Sequence, residues 1–212
     1  MKITPCLELS WLKAAFYNAA ESLEVENTIK MNQVHSADCL YITEKPDENP
    51  SVDALITDTP GLRLAVKTAD CAPVLIADTK KHLIAAVHAG WKGAFQGVIE
   101  NTILKMIEQG GDPQNMVAGI GPHLQIQSFE ISPEMRALFP ETEARFFAEE
   151  QGKIHFDFDA YVIHRLHRSG IKTVESVGDD TYKDWQYNSY RRDSKNPARQ
   201  LSVIEIKEVW YV

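Results

Sequence analysis

Three short apolar runs crowd the middle of the chain, at residues 62–66, 74–77 and 83–87, rich in branched residues and separated by turn-forming residues. Each is too short for a helix and lacks the alternation of a half-exposed strand, so each predicts a strand buried on both faces. Such strands commit the chain to a layered fold, because both faces need covers. One cover is predicted over residues 94–109, where Phe95, Val98, Ile99, Thr102, Ile103, Met106 and Ile107 recur at helical spacing and Gly110-Gly111 gives the stop.

The other segments fill in around this centre. Residues 11–23 place Trp11, Ala15 and Ala19 on one side of a predicted helix, and residues 28–42 alternate in a strand-like way. Pro46, Asn49 and Pro50 make residues 44–51 a loop. Residues 116–120 and 201–206 read as strands, and 133–138 and 160–168 as helices, the last preceded and capped by Asp157 and Asp159. Helices and strands mix without strict alternation, which predicts an α+β fold with mixed central sheets in a single domain spanning residues 1–212.

Composition narrows the partners. With 22 basic and 30 acidic residues the net charge is -8, which argues against a nucleic-acid footprint and requires any anionic small molecule to find a local basic pocket. No apolar run approaches the ~20 residues of a membrane helix, and residues 1–20 lack a signal-peptide layout. Cys6, Cys39 and Cys71 are too few and scattered for a disulfide framework. The expectation is a cytoplasmic protein with no membrane partner, in which Cys6 and Cys39 are structural.

The chemistry-bearing residues gather at predicted strand ends. His35 sits in Asn32-Gln33-Val34-His35-Ser36, Cys71 in Thr68-Ala69-Asp70-Cys71-Ala72-Pro73, and His88 in His88-Ala89-Gly90-Trp91-Lys92-Gly93. Two imidazoles and a thiolate suit zinc and leave a fourth tetrahedral position open. Spacing alone leaves a second reading open, in which Cys71 is a buried small hydrophobe and the histidines are ordinary core or surface residues.

Those segments, with Asp53-Ala54-Leu55-Ile56-Thr57, residues 60–75 and Ser189-Tyr190-Arg191-Arg192-Asp193, resemble the laccase-domain family. That family is also described as purine nucleoside phosphorylase and adenosine deaminase, with some members linked to peptidoglycan editing. The resemblance implies a layered α-β-β-α architecture, zinc held by His35, Cys71 and His88, and purine nucleosides and phosphate as small-molecule partners. Two departures stand out. Residues 1–30 lack the Thr-Arg-x-Gly-Gly and Asn-Leu that begin many members, and His123 follows Gly121-Pro122 where many have cysteine. His123 is not counted as a ligand.

The family's laccase label points to copper, but the chain has seven histidines and no His-x-His pair, too little for a trinuclear cluster plus a blue-copper site. Zinc is the expected cofactor with copper behind it, and copper-dependent polyphenol oxidation ranks last among the activities, alongside a non-catalytic scaffold. Deamination calls for an acidified water, whereas phosphorolysis calls for protonation of a leaving base and a place for phosphate. Three residues are the candidates for catalytic roles. Lys92, just before the predicted helix, would meet an anion. Arg191 would supply a second anion contact near Tyr187 and Tyr190, while Arg192 faces away. Asp70 would relay a proton or orient a ligand. Their bland counterparts are a solvated lysine, an ion pair with Asp193 and a turn cap. Asp53 and Glu130 are weaker candidates. Two other functions remain open: a cysteine hydrolase in which His88 or His35 activates Cys71, suited to editing of peptidoglycan precursors, and a non-catalytic scaffold.

Overall fold

The computed structural model describes residues 1–24 and 28–208; residues 25–27 and 209–212 of the expected 1–212 span lie outside the described residues. In chain order the strands and α-helices are β1 (Leu12–Phe16), β2 (Cys39–Tyr41), β3 (Ala54–Thr57), β4 (Arg63–Thr68), β5 (Ala72–Asp78), β6 (Leu83–Ala89), α1 (Trp91–Gln96), α2 (Val98–Glu108), β7 (Met116–Ile120), β8 (Glu130–Ile131), α3 (Pro133–Arg136), β9 (Phe147–Glu150), β10 (Lys153–Phe156), α4 (Phe158–Arg168), β11 (Thr173–Ser176) and β12 (Gln200–Ile206).

The three apolar runs fall in two sheets. β5 and β6 are the middle of a six-stranded sheet of order β11-β7-β5-β6-β3-β2, while β4 belongs to a three-stranded sheet of order β1-β12-β4. In the large sheet β11 runs parallel to β7 and β2 parallel to β3, and the other pairs are antiparallel. Period-two alternation then sends each strand's residues to opposite cores. Val74, Ile76, Ala85 and Val87 pack toward Ile99, Ile103 and Met106 of α2 and Val162 and Leu166 of α4. Leu75, Ala77, Ile84 and Ala86 pack instead against Leu64, Val66, Ile204 and Ile206 of the small sheet. The result is the layered mixed arrangement of sheets and helices that the sequence implies.

A third small sheet, β8-β10-β9, is held by rings rather than by ladder length. Phe156 stacks on Phe147 with centroids 4.7 Å apart and meets Phe129, Phe139, Phe158 and Tyr161 at 5.2 to 5.5 Å.

Several local expectations need correction. Residues 11–23 are not a helix: they form β1 and a 3-10 turn, Glu21–Glu24, because every residue of β1 finds a partner on β12. Of residues 28–42 only 39–41 form a named strand, beside one bridge from Ile29 to Leu64. The helix over 94–109 starts earlier and breaks in two, since Gly97 at φ 100° caps α1 and precedes α2. Asp157 caps α4 by accepting from Ala160 N, whereas Asp159 accepts from Ser176 Oγ instead. No helix among the described residues is long and apolar enough to cross a membrane.

Candidate metal centre

Three neighbouring strands deliver the site. His88 lies one residue before the end of β6, on the face it shares with Ile84 and Ala86, and the pairing Pro73 to His88 places Cys71 beside it at the start of β5. Asp53 immediately precedes β3 and accepts the His88 backbone N–H through its own carbonyl at 2.7 Å. His35 comes from the loop before β2. The ligand atoms of His35, Cys71 and His88 all lie within 4.8 Å of one another, and this is the one such cluster of histidine, cysteine and carboxylate groups among the described residues.

The separations suit a shared ion. Ligands bonded tetrahedrally at zinc distances stand about 3.3 to 3.6 Å apart, and Cys71 Sγ is 3.8 Å from His35 Nε2. The two imidazoles meet edge to face at 4.8 Å between centroids. His88 Nδ1 is 2.7 Å from Asp53 Oδ1, which leaves Nε2 as the metal-facing nitrogen. A side chain at Gly90 would place its Cβ 2.7 Å from His35 Cδ2 and 3.3 Å from Cys71 Sγ, so glycine there makes room for the cluster. Two of the described non-glycine residues with positive φ belong to this site, His35 at 59° and Asp70 at 85°.

Electrostatics favour the thiolate form of Cys71, the form a metal takes. Burial opposes ionisation of Cys71, but the adjacent His88 and His35 outweigh it and pull the thiol below its usual range. Burial opposes charge on His88, but Cys71 and Asp53 outweigh it and raise the imidazole pKa to about 9, so thiolate and imidazolium stabilise each other and a metal would displace the ring proton. Burial would raise the Asp53 carboxyl, yet hydrogen bonds from His88 and Ser36 hold it down to about 2.

The cluster lies in a cleft of about 1160 Å³ bounded by Gln33, Lys67, Trp91, Lys92, Phe129, Met135, Tyr190, Arg191 and Arg199 among others. Lys92 is exposed on α1 rather than ahead of it, with Nζ 5.6 Å over the Trp91 ring. Arg191 reaches the cleft, but three guanidinium hydrogen bonds go to the carbonyls of Ser128 and Glu130. It therefore braces a wall. Arg192 donates to the carbonyls of Thr181, Tyr182 and Tyr187 and stacks on Trp185, away from the cluster. Both carboxylate oxygens of Asp70 are engaged, accepting from Thr181 Oγ1 at 2.7 Å and Arg191 N at 2.6 Å. Asp70 thus ties two loops to the ligand strand. Tyr187 is buried against Asp179, and Glu130 pairs with Lys153 at the rim. Buried His123 bonds Gly121 O and lies outside the cluster.

The residue that sequence reasoning undervalued is Asp53. The sequence shows only an aspartate at the head of the apolar run Ala54-Leu55-Ile56, and its full burial emerges with the fold.

The fold and site together define a class: a layered mixed α/β domain with a His-Cys-His cluster set at the rim of its central sheet. The chain belongs to the family described as multi-copper polyphenol oxidoreductase laccase, whose model matches residues 13–207. It is 34% identical over 194 residues to a protein of Rickettsia prowazekii (strain Madrid E) named purine nucleoside phosphorylase, covering 87% of this chain and 80% of that one. A Streptomyces coelicolor protein of the same name is 38% identical over 180 residues, with 82% and 74% covered. Among solved structures, a Neisseria meningitidis protein superposes with TM-score 0.79 at 32% identity, covering 89% of this chain and 78% of that one. YlmD from Geobacillus stearothermophilus shares the fold at TM-score 0.83 and 21% identity, covering 97% and 94%.

Proposed function

We propose that the chain is a zinc-dependent purine nucleoside enzyme, acting on adenosine, inosine and methylthioadenosine by phosphorolysis, on adenosine by deamination, or by both. The observation that carries this reading is the convergence of His35, Cys71 and His88 on one point, with the Nδ1 of His88 taken by Asp53. The names of the relatives supply the substrate class.

Zinc is favoured by the ligand set. The other histidines are engaged elsewhere, His82 with Trp11, His123 with Gly121, His155 with Ile126, His164 with Arg145 and His167 with Ile171. No imidazoles are left to build a second or third copper site. Held by His35, Cys71 and His88, zinc would supply Lewis acidity at the open position.

The chain's own groups do the rest. Trp91, Phe129 and Tyr190 give the cleft aromatic faces for a purine ring. Lys92 offers its ammonium to a phosphate oxygen, and its seat over Trp91 keeps it at the cleft edge. Asp70 and Arg191 hold the walls at a fixed separation by joining the Cys71 strand to the segments at 181–191 and 128–130.

A product screen on metal-quantified protein tests this reading, with nucleosides supplied in the presence and absence of phosphate. Ribose 1-phosphate plus free base marks phosphorolysis, and inosine plus ammonia from adenosine marks deamination. Full activity in metal-free protein would overturn the zinc dependence.

One observation supports a second reading. Cys71, His88 and Asp53 also stand in the order nucleophile, base and orienting carboxylate, as a cysteine hydrolase requires. Covalent trapping of Cys71 by an electrophile in zinc-replete protein, together with amide or ester turnover, would favour it. Protection of Cys71 by zinc favours the metalloenzyme.

A further inference from the structure

We propose that Asp53 is a positioning residue that sets two ligands of the centre at once: the tautomer of His88 and the backbone turn that carries His35. This inference rests on the zinc reading above. Its two oxygens are divided between the ligands. Oδ1 faces His88 Nδ1 at 2.7 Å and accepts from His35 N at 3.0 Å. Oδ2 accepts from Ser36 N at 2.6 Å, Ser36 Oγ at 3.0 Å and Val34 N at 3.2 Å. Three successive backbone N–H groups therefore point at one carboxylate, the arrangement by which a turn forms a nest around an anion.

The turn needs that anion. His35 sits at φ 59°, a conformation that a residue with a Cβ holds only when its surroundings impose it. Without Asp53 the N–H groups of Val34, His35 and Ser36 would lose this shared acceptor, and the turn would lose its reason to present the His35 ring to Cys71. At the other oxygen, an ionised carboxylate can only accept. The proton of a neutral His88 ring is thereby held on Nδ1, and Nε2 keeps the lone pair a metal needs. The side chain is fully buried, so water is not available to substitute for it.

Asparagine, nearly the same shape, cannot reproduce this. With its amide nitrogen at the Oδ2 position it opposes the donors of Ser36 and Val34 and loosens the His35 turn. With the nitrogen at the Oδ1 position it opposes His35 N–H and drives His88 to carry its proton on Nε2, where it blocks the metal. The first orientation spares His88 and the second disturbs both ligands.

The experiment is a zinc dissociation constant for the wild type and Asp53→Asn, measured by competition with a chromophoric chelator on folded protein. The expected result is a 10 to 100-fold weaker constant in the variant. Wild type that binds no zinc would refute the zinc reading itself. Wild type that binds zinc, with Asp53→Asn equally tight, would refute only the role of Asp53. Should the variant not fold, nitrogen-15 NMR of zinc-loaded wild type decides. A protonated Nδ1 with zinc on Nε2 of His88 is expected, and zinc on Nδ1 overturns the proposal.

Discussion

The floor and the wall of the cleft are built on different physics. At the floor, Asp53, Cys71 and His88 leave adjacent strands whose register is fixed by paired backbone bonds, and directional hydrogen bonds aim the donors. Across from it, Leu124, Phe129, Ile131, Met135 and Phe158 form a wall whose strand β8 is only two residues long. That wall depends on ring packing around Phe156 and on the grip of Arg191. Metal ligation tolerates errors of a few tenths of an ångström at most, and the proposed ligands sit where the ladder is dense. Recognition of a flat aromatic ring, the role proposed for the wall, tolerates more and would rest on packing and the Arg191 brace.

The sharpest way to break this contrast is to strike each side once. Cys71→Ala removes the central donor, and zinc per chain is expected to fall from about one to none by elemental analysis, with turnover lost. Because Cys71 belongs to none of the hydrophobic core clusters of the described residues, circular dichroism is expected to stay that of the wild type. Phe156→Ala does the reverse. Its ring is fully buried among five others, and its loss is expected to cost about 3 to 5 kcal/mol in denaturant unfolding. Zinc per folded chain should be kept. Zinc loss in Phe156→Ala as complete as in Cys71→Ala would mean that the floor and wall are one cooperative unit.

Gly90→Ala probes the floor more gently. Its new Cβ would stand 2.7 Å from His35 Cδ2, and overpacking of that size is expected to weaken zinc by about tenfold, ~1.4 kcal/mol. Chelator competition reads this directly, and an unchanged constant would show that the His35 turn yields at little cost.

The same contrast explains what was legible in the sequence. β5 and β6 are apolar on both faces and announce themselves, and so does α2. β1 does not. Leu12, Ala14 and Phe16 face one core and Ala15 with Tyr17 the other, yet two consecutive alanines blur the alternation into a helical rhythm. β9 and β10 are four residues each and join at Gln151-Gly152, both at positive φ, a turn whose sequence signal is weaker than Asn-Gly. The three proposed ligands were nameable by residue type and by family resemblance. Asp53 was not rankable, because its weight comes from donors at positions 34, 35, 36 and 88 that meet only after the sheet has formed.

Lys92 tests the edge where floor and wall meet, and there the smallest effect is expected. It is the second residue of α1, exposed, with its ammonium over Trp91 and no carboxylate partner among the described residues. A solvated cation gives a phosphate oxygen only a modest attraction, so Lys92→Ala is expected to raise the KM for phosphate by about fivefold in a phosphorolysis assay. The zinc constant should not move, because neither His35, Cys71, His88 nor Asp53 depends on it. Raising the ionic strength should shrink the difference between variant and wild type, as screening weakens exposed charge pairs. An unchanged KM would remove Lys92 from phosphate binding and leave Lys67 and Arg199 as the cleft's remaining cations to examine, since Arg191 is already committed to its wall.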